Sequence, residues 1–308
     1  MKKVKICFLI FFIFSLYSFS YWEWTPQTRR WINPKYAVKD TPEEQFEYAE
    51  KFRKSGDIEK AIREHRKLLK HYESSEYAPK SCFALGEIYY NLGKYKKAFD
   101  YYQKIIDKYP QSELIFKAIE RQAEIGEEYL FIKKKWELPF LRFLKEDKGE
   151  FLKKAVDNSP YDKEAPERLF RLGMFYYDIK QYGEAAEIFR RIIESYPDNP
   201  VVEKATFFAI KAEYKAIPDV NYDIEKLEKI EDEIDFFISE YPASVYKEDL
   251  MKLKNEIKGQ KAKRYYEIGL LYERMGKKSA ALFYYKKLVE KYPETKYGKK
   301  AKNKIGSH

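Results

Sequence analysis

Cysteine is close to absent: the 308 residues hold two, Cys7 and Cys82. Cys7 lies inside an apolar N-terminal run, so loss of that run would leave Cys82 alone. No internal disulfide and no thiol-based zinc site can then be built. Histidine is equally scarce, at three. His65 and His71 are six positions apart, which on one helix turns them away from each other, so they are expected at the surface and not as a metal pair. Twelve glycines and thirteen prolines are too few for a loop-rich or all-β chain. An excess of one charge sign is missing too. Without Lys2, Lys3 and Lys5 the balance is 57 basic against 50 acidic residues, interspersed as on a solvated helical surface. Catalytic signatures are lacking: there is no zinc-protease motif, phosphate-binding loop, dinucleotide fingerprint or Gly-x-Ser-x-Gly elbow. Glu127 and Glu128 are adjacent and diverge by about 100° on a helix, so they form no acid/base pair. No enzyme, cofactor, metal or nucleic-acid reading is supported.

Long hydrophobic runs are confined to one place. Met1 to Lys5 is basic and Ile6 to Phe19 apolar, and Ser18-Phe19-Ser20 places small residues before a cut at Tyr21. Residues 1–20 are therefore expected to be an export signal peptide, with an uncleaved membrane anchor as the alternative. Neither cysteine stands at the expected cut, so a lipid-modified N-terminus is not expected. Residues 21–41, with Trp22, Trp24, Pro26, Trp31 and Pro34, are expected to be extended. They would act either as a lid on the first hairpin or as a docking segment for a membrane interface or partner.

What the chain has in abundance is aromatic residues, 18% of the total, set in a charged, helix-forming background. They recur. From Gly86, Gly173 and Gly269, a Tyr follows at +3 (Tyr89, Tyr176, Tyr272) and an Ala at +12 (Ala98, Ala185, Ala281). An aromatic follows at +16 (Tyr102, Phe189, Tyr285), and a Tyr-Pro pair closes each copy at Pro110, Pro197 and Pro293. A helical hairpin explains the spacing. The Gly lets the second helix approach, the aromatics fill the gap, and the Pro ends the second helix. One hairpin cannot bury its apolar faces alone, so the copies must stack.

The spacing resembles the tetratricopeptide repeat (TPR) family, which implies an all-α solenoid of helical hairpins. Six units are expected over 42–300, near 42–76, 78–113, 118–163, 166–200, 204–245 and 262–296, followed by a tail at 301–308. In the first, Ala49 takes the Gly place; insertions are expected around 133–149, with Trp136 and Pro139, and at 218–223. The family resemblance implies a peptide groove lined by the first helix of each repeat. Carried onto this chain it comprises Phe46, Arg53, Phe83, Tyr90, Asn91, Phe170, Tyr177, Asp178, Tyr266 and Arg274. The alternative is that the phenylalanines are hairpin core.

Among exported TPR proteins the sequence most resembles the outer-membrane assembly factor BamD family. The likeness rests on Tyr109-Pro-Gln-Ser112, Tyr196-Pro-Asp-Asn199, Tyr241-Pro-Ala-Ser244 and Tyr292-Pro-Glu-Thr295, and on the stretch from Ile234 to Ala301. It implies a non-catalytic periplasmic scaffold at the inner face of the outer membrane. Its partners would be a BamA-like barrel protein and unfolded outer-membrane protein segments, with peripheral membrane association. A CpoB-like coordinator of constriction or peptidoglycan synthesis, and an adaptor in a secretion or pilus complex, remain the alternatives.

Overall fold

The computed structural model describes residues 22–25, 30–33, 37–131, 149–217 and 224–306. The expected export segment, the insertion bearing Trp136 and Pro139, and the expected loop at 218–223 lie outside these residues. The chain divides into two compact units between Lys134 and Lys135.

The first unit opens with a short antiparallel hairpin, β1 (Glu23–Thr25) and β2 (Arg30–Ile32), in which Trp24 faces Trp31. Five helices follow: α1 (Pro42–Ser55), α2 (Ile58–His71), α3 (Tyr77–Asn91), α4 (Tyr95–Lys108) and α5 (Ile115–Phe131). Each packs on the next, and α1 also reaches α3, as stacked hairpins require.

The second unit holds α6 (Glu150–Asn158), α7 (Ala165–Asp178), α8 (Tyr182–Ser195), α9 (Val201–Ala216) and α10 (Ile224–Glu240). It ends with α11 (Lys247–Arg274), α12 (Lys278–Lys291) and α13 (Lys296–Gly306). Successive helices again pack in pairs, with α7 touching α9 and α11 touching α13. The all-α, TPR-type reading of the sequence holds. Apart from the short β1–β2 hairpin, every regular element among the described residues is a helix.

Two turns repeat along the chain, and each has a local cause. Within a hairpin, the seventh residue after the Gly place adopts a left-handed backbone: Gly56, Gly93 and Gly276, with φ of 83°, 67° and 72°. Lys180 takes the same conformation, at φ 65°, although a Cβ disfavours it. Between hairpins, the Tyr carbonyl accepts the backbone N–H three residues on, at 2.9 Å for Ser112 and Asn199. The Ser112, Asn199, Ser244 and Thr295 side chains then accept an N–H at the start of the following helix, at 3.0–3.2 Å. The polar residue after each Tyr-Pro pair is therefore part of a turn that launches the next helix.

Two sequence expectations need correction here. Residues 301–306 are not a tail but the end of α13, held because Ala301 is fully buried and Ile305 packs beside it. Nor does a new unit begin at 262, since α11 runs unbroken for 28 residues from Lys247. Between Lys247 and Arg274 the sequence is rich in Lys, Glu and Leu with no Pro, so nothing stops the helix.

Candidate partner-binding site

The Gly places decide how closely the helices meet. A Cβ at Gly86 would lie 2.5 Å from the Tyr102 ring, and one at Gly173 2.5 Å from the Phe189 ring; Gly269 sits equally tight on Tyr285. The first helices are thereby pinned by one aromatic each, and their opposite faces remain for other contacts.

In the first unit, α1, α3 and α5 carry a strip of rings and charges. Phe83 lies beneath the Lys117 ammonium at 5.1 Å and Tyr90 beneath the Arg121 guanidinium at 4.7 Å. The Tyr90 hydroxyl donates to Glu128 at 2.6 Å, and this bond, with some burial, lifts the phenol to about 12. Arg121 also grips Glu87 through two bonds of 2.6 and 2.7 Å. Burial pushes the Glu87 carboxyl up, but hydrogen bonds from Arg121 and Tyr102 outweigh it and hold it below the usual range. On α1, Arg53 is held by Glu50 at 2.6 Å and is exposed, while Phe46 is half-buried against Tyr77. Asn91 is exposed at the end of α3. Phe83 and Tyr90 are thus gathered by α5 into one surface. Phe46 and Arg53 lie beside α3 on α1, where Phe46 meets Tyr77 and the Arg53 charge is felt by Glu87.

In the second unit Phe170 is only 5% exposed. Expected in the groove, it is instead packed against Phe189 and Phe208, at 5.5 and 5.7 Å. The correction has a steric cause: Phe208 of α9 closes over it and also takes the edge of Tyr177, at 5.7 Å. Lys204 and Lys215 lie over the Phe170 and Tyr177 rings, at 3.9 and 4.6 Å. Tyr266 is half-buried between Tyr285 and Tyr297, each at 5.7 Å, while Asp178 and Arg274 are exposed.

Sequence reasoning missed a polar companion to the +16 aromatic. The Tyr102 hydroxyl donates to Glu87 at 2.6 Å, and that of Tyr285 to Glu273 at 2.8 Å. Phe189 has no hydroxyl, and its hairpin has Met174 and Tyr177 where the other two have those acids. Counting from Ala49, position +16 of the first repeat is His65. It is fully buried, not at the surface as expected, with Nε2 3.3 Å from Glu50 and Nδ1 3.2 Å from Ser81. Continuing the +16 count into the first repeat finds it from sequence. Burial pushes Glu50 up, but His65 and Arg53 outweigh it and bring the carboxyl down to about 2.

Among the described residues no group of three or more His, Cys, Asp or Glu could hold a metal ion. No helix there is long and apolar enough to cross a membrane.

This arrangement of stacked hairpins can be set beside known families. The family model described as outer membrane lipoprotein, YfiO, matches residues 152–305, half of the chain. This chain belongs to the YfiO family. A tetratricopeptide-repeat model also matches residues 79–112, the α3–α4 hairpin. The outer membrane protein assembly factor BamD of Caulobacter vibrioides is 24% identical over 148 residues, 48% of each chain. The YfiO-family chain described here thus spans about half the length of the curated relative it matches.

Solved structures similar to the chain include the MamA protein, at 17% identity and TM-score 0.30, covering 66% of this chain and 97% of that one. A tetratricopeptide-repeat protein from Parabacteroides merdae is 18% identical at TM-score 0.31, covering 86% and 97%.

Proposed function

We propose that this YfiO-family chain is a non-catalytic periplasmic scaffold that takes part in assembling β-barrel proteins into the outer membrane. The family match over residues 152–305 is the observation that carries the reading. The surface of α3 and α5 supports it chemically. Rings on Phe83 and Tyr90, flanked by Lys117, Arg121 and Glu128, offer an extended segment both apolar contacts and backbone partners. Unfolded outer-membrane segments, rich in alternating aromatics, are the ligand proposed for it. A BamA-like barrel protein is the partner proposed for the second unit. Residues 277–306 of that unit carry ten lysines against Glu290 and Glu294, so acidic surfaces are favoured there.

The test is a crosslinked pull-down from the native envelope. Recovery of a BamA-like protein with nascent barrel proteins is the expected result. Cell-wall synthases or division proteins without the barrel machine would move the function to a CpoB-like coordinator. For the groove itself, Phe83→Ala with Tyr90→Ala should weaken an aromatic-bearing peptide by roughly tenfold or more. Unchanged affinity would remove these two residues from the site.

A further inference from the structure

Three of the chain's four tryptophans stand together at its N-terminal end. Trp24 and Trp31 are directly opposed across the β1–β2 hairpin, their rings 5.8 Å apart edge to face. Trp22 stands immediately before β1, two residues from Trp24. All three are exposed: Trp22 by 56%, Trp24 by 49% and Trp31 by 62%. The hairpin therefore does not use its rings as a lid on the first helices. That contact falls to the stretch after it, where Lys67 Nζ bonds the Ala37 carbonyl at 2.9 Å and Lys39 N–H bonds Gln45 at 2.8 Å. A sheet of only two short strands has no second face to hide indoles behind.

From this geometry we infer that Trp22, Trp24 and Trp31 form an interfacial docking face for a lipid bilayer. Indole suits that zone because its ring is apolar and its N–H still finds polar headgroups. The adjoining sequence selects the occupant. The fourteen residues from Ile6 to Phe19 carry no charge, and such a run partitions into hydrocarbon. Its last residue is three positions from Trp22, which the chain can span by at most about 11 Å. Where residues 1–20 stay attached, as in the anchor alternative, a bilayer entered by that run lies within reach of the indole face. The charge balance agrees: residues 21–36 have Arg29, Arg30 and Lys35 against Glu23, which favours anionic headgroups. This inference is independent of the assembly role proposed above.

The experiment uses the full chain with Trp136→Phe, so that all indole emission comes from the hairpin. It is mixed with phosphatidylethanolamine–phosphatidylglycerol vesicles whose acyl chains are brominated near the headgroup. A blue-shifted emission, with more than about half of it quenched by the brominated lipid, is expected for indoles at interface depth. Emission that stays at its water-exposed wavelength, quenched by acrylamide and untouched by bromine, would overturn the inference. So would a blue shift that depends on protein concentration without vesicles, because the face would then belong to a second copy. The unsubstituted chain is a control against misfolding of the variant, since bromine must still remove most of its emission.

Discussion

A buried ring with a polar atom gains from a partner for that atom, and three hairpins of this chain place a carboxylate beside one. Tyr102, Tyr285 and His65 occupy the same place in three hairpins and meet Glu87, Glu273 and Glu50, whereas Phe189 needs none. Replacing Glu87 by Met, as at the matching position Met174, should cost about 1–3 kcal/mol by stranding the Tyr102 hydroxyl. Adding Tyr102→Phe should recover part of the loss. A denaturant melt in which the second change brings no recovery would show that the hydroxyl never depended on Glu87. Glu50 makes the matching prediction for pH. Its pKa in the fold is about 2, below the ordinary 4.5, so its contribution is in force above about pH 4.5 and fades as pH falls through about 2. Glu50→Gln should therefore flatten the acid limb of the unfolding curve between those values; an unchanged limb would place the acid sensitivity elsewhere. These partners were hidden from the repeat count because they do not hold a constant offset. The acid stands one residue after the Gly place in Glu50 and Glu87, but four after it in Glu273.

At the scale of single helices, most of the chain was legible in advance. Leu-Gly-x-x-Tyr marks the first helix and Tyr-Pro the end of the second, and each mark has a steric cause that survives in the structure. Where the marks thin out, reading fails. Nothing in Lys247–Arg274 announces whether one helix or two lie there, since the chain has good helix formers throughout and neither of its glycines, Gly259 and Gly269, is at a turn. Residues 301–308 look like a polar tail because Lys302, Asn303 and Lys304 stand among them, yet Ala301 and Ile305 are enough to seat residues 301–306 in α13. The groove was legible only in part. Sequence offsets identify which residues lie on the first helices, but not that Phe208, from the neighbouring hairpin, covers Phe170. The continuity of α11 can be tested through Gly259, where an added Cβ meets nothing within 4 Å. Gly259→Ala should stabilise the second unit by about 0.5–1 kcal/mol through helix propensity. A lower melting temperature would mean that α11 bends or opens at that point.

For the whole molecule, helical hairpins that pack on their nearest neighbours each need something to lean on. Export and membrane attachment were argued from sequence alone, whereas the exposed indole face was evident only once Trp24 and Trp31 were seen paired across the hairpin. At the other end of the chain α13 lies on α11 and α12, with Ala301 against the cluster of Ala262, Ala281, Tyr285 and Leu288. The face it covers is of the kind to which every earlier hairpin docks a successor. A chain truncated before Lys296 should present that face to the leading helices of another molecule. Such a head-to-tail contact is not self-complementary, so it need not close into a dimer and can add subunits without limit. Light scattering should then show growth with concentration for the truncated chain but not for the full one. The lysine-rich α13 thus covers an apolar face that its removal would bare.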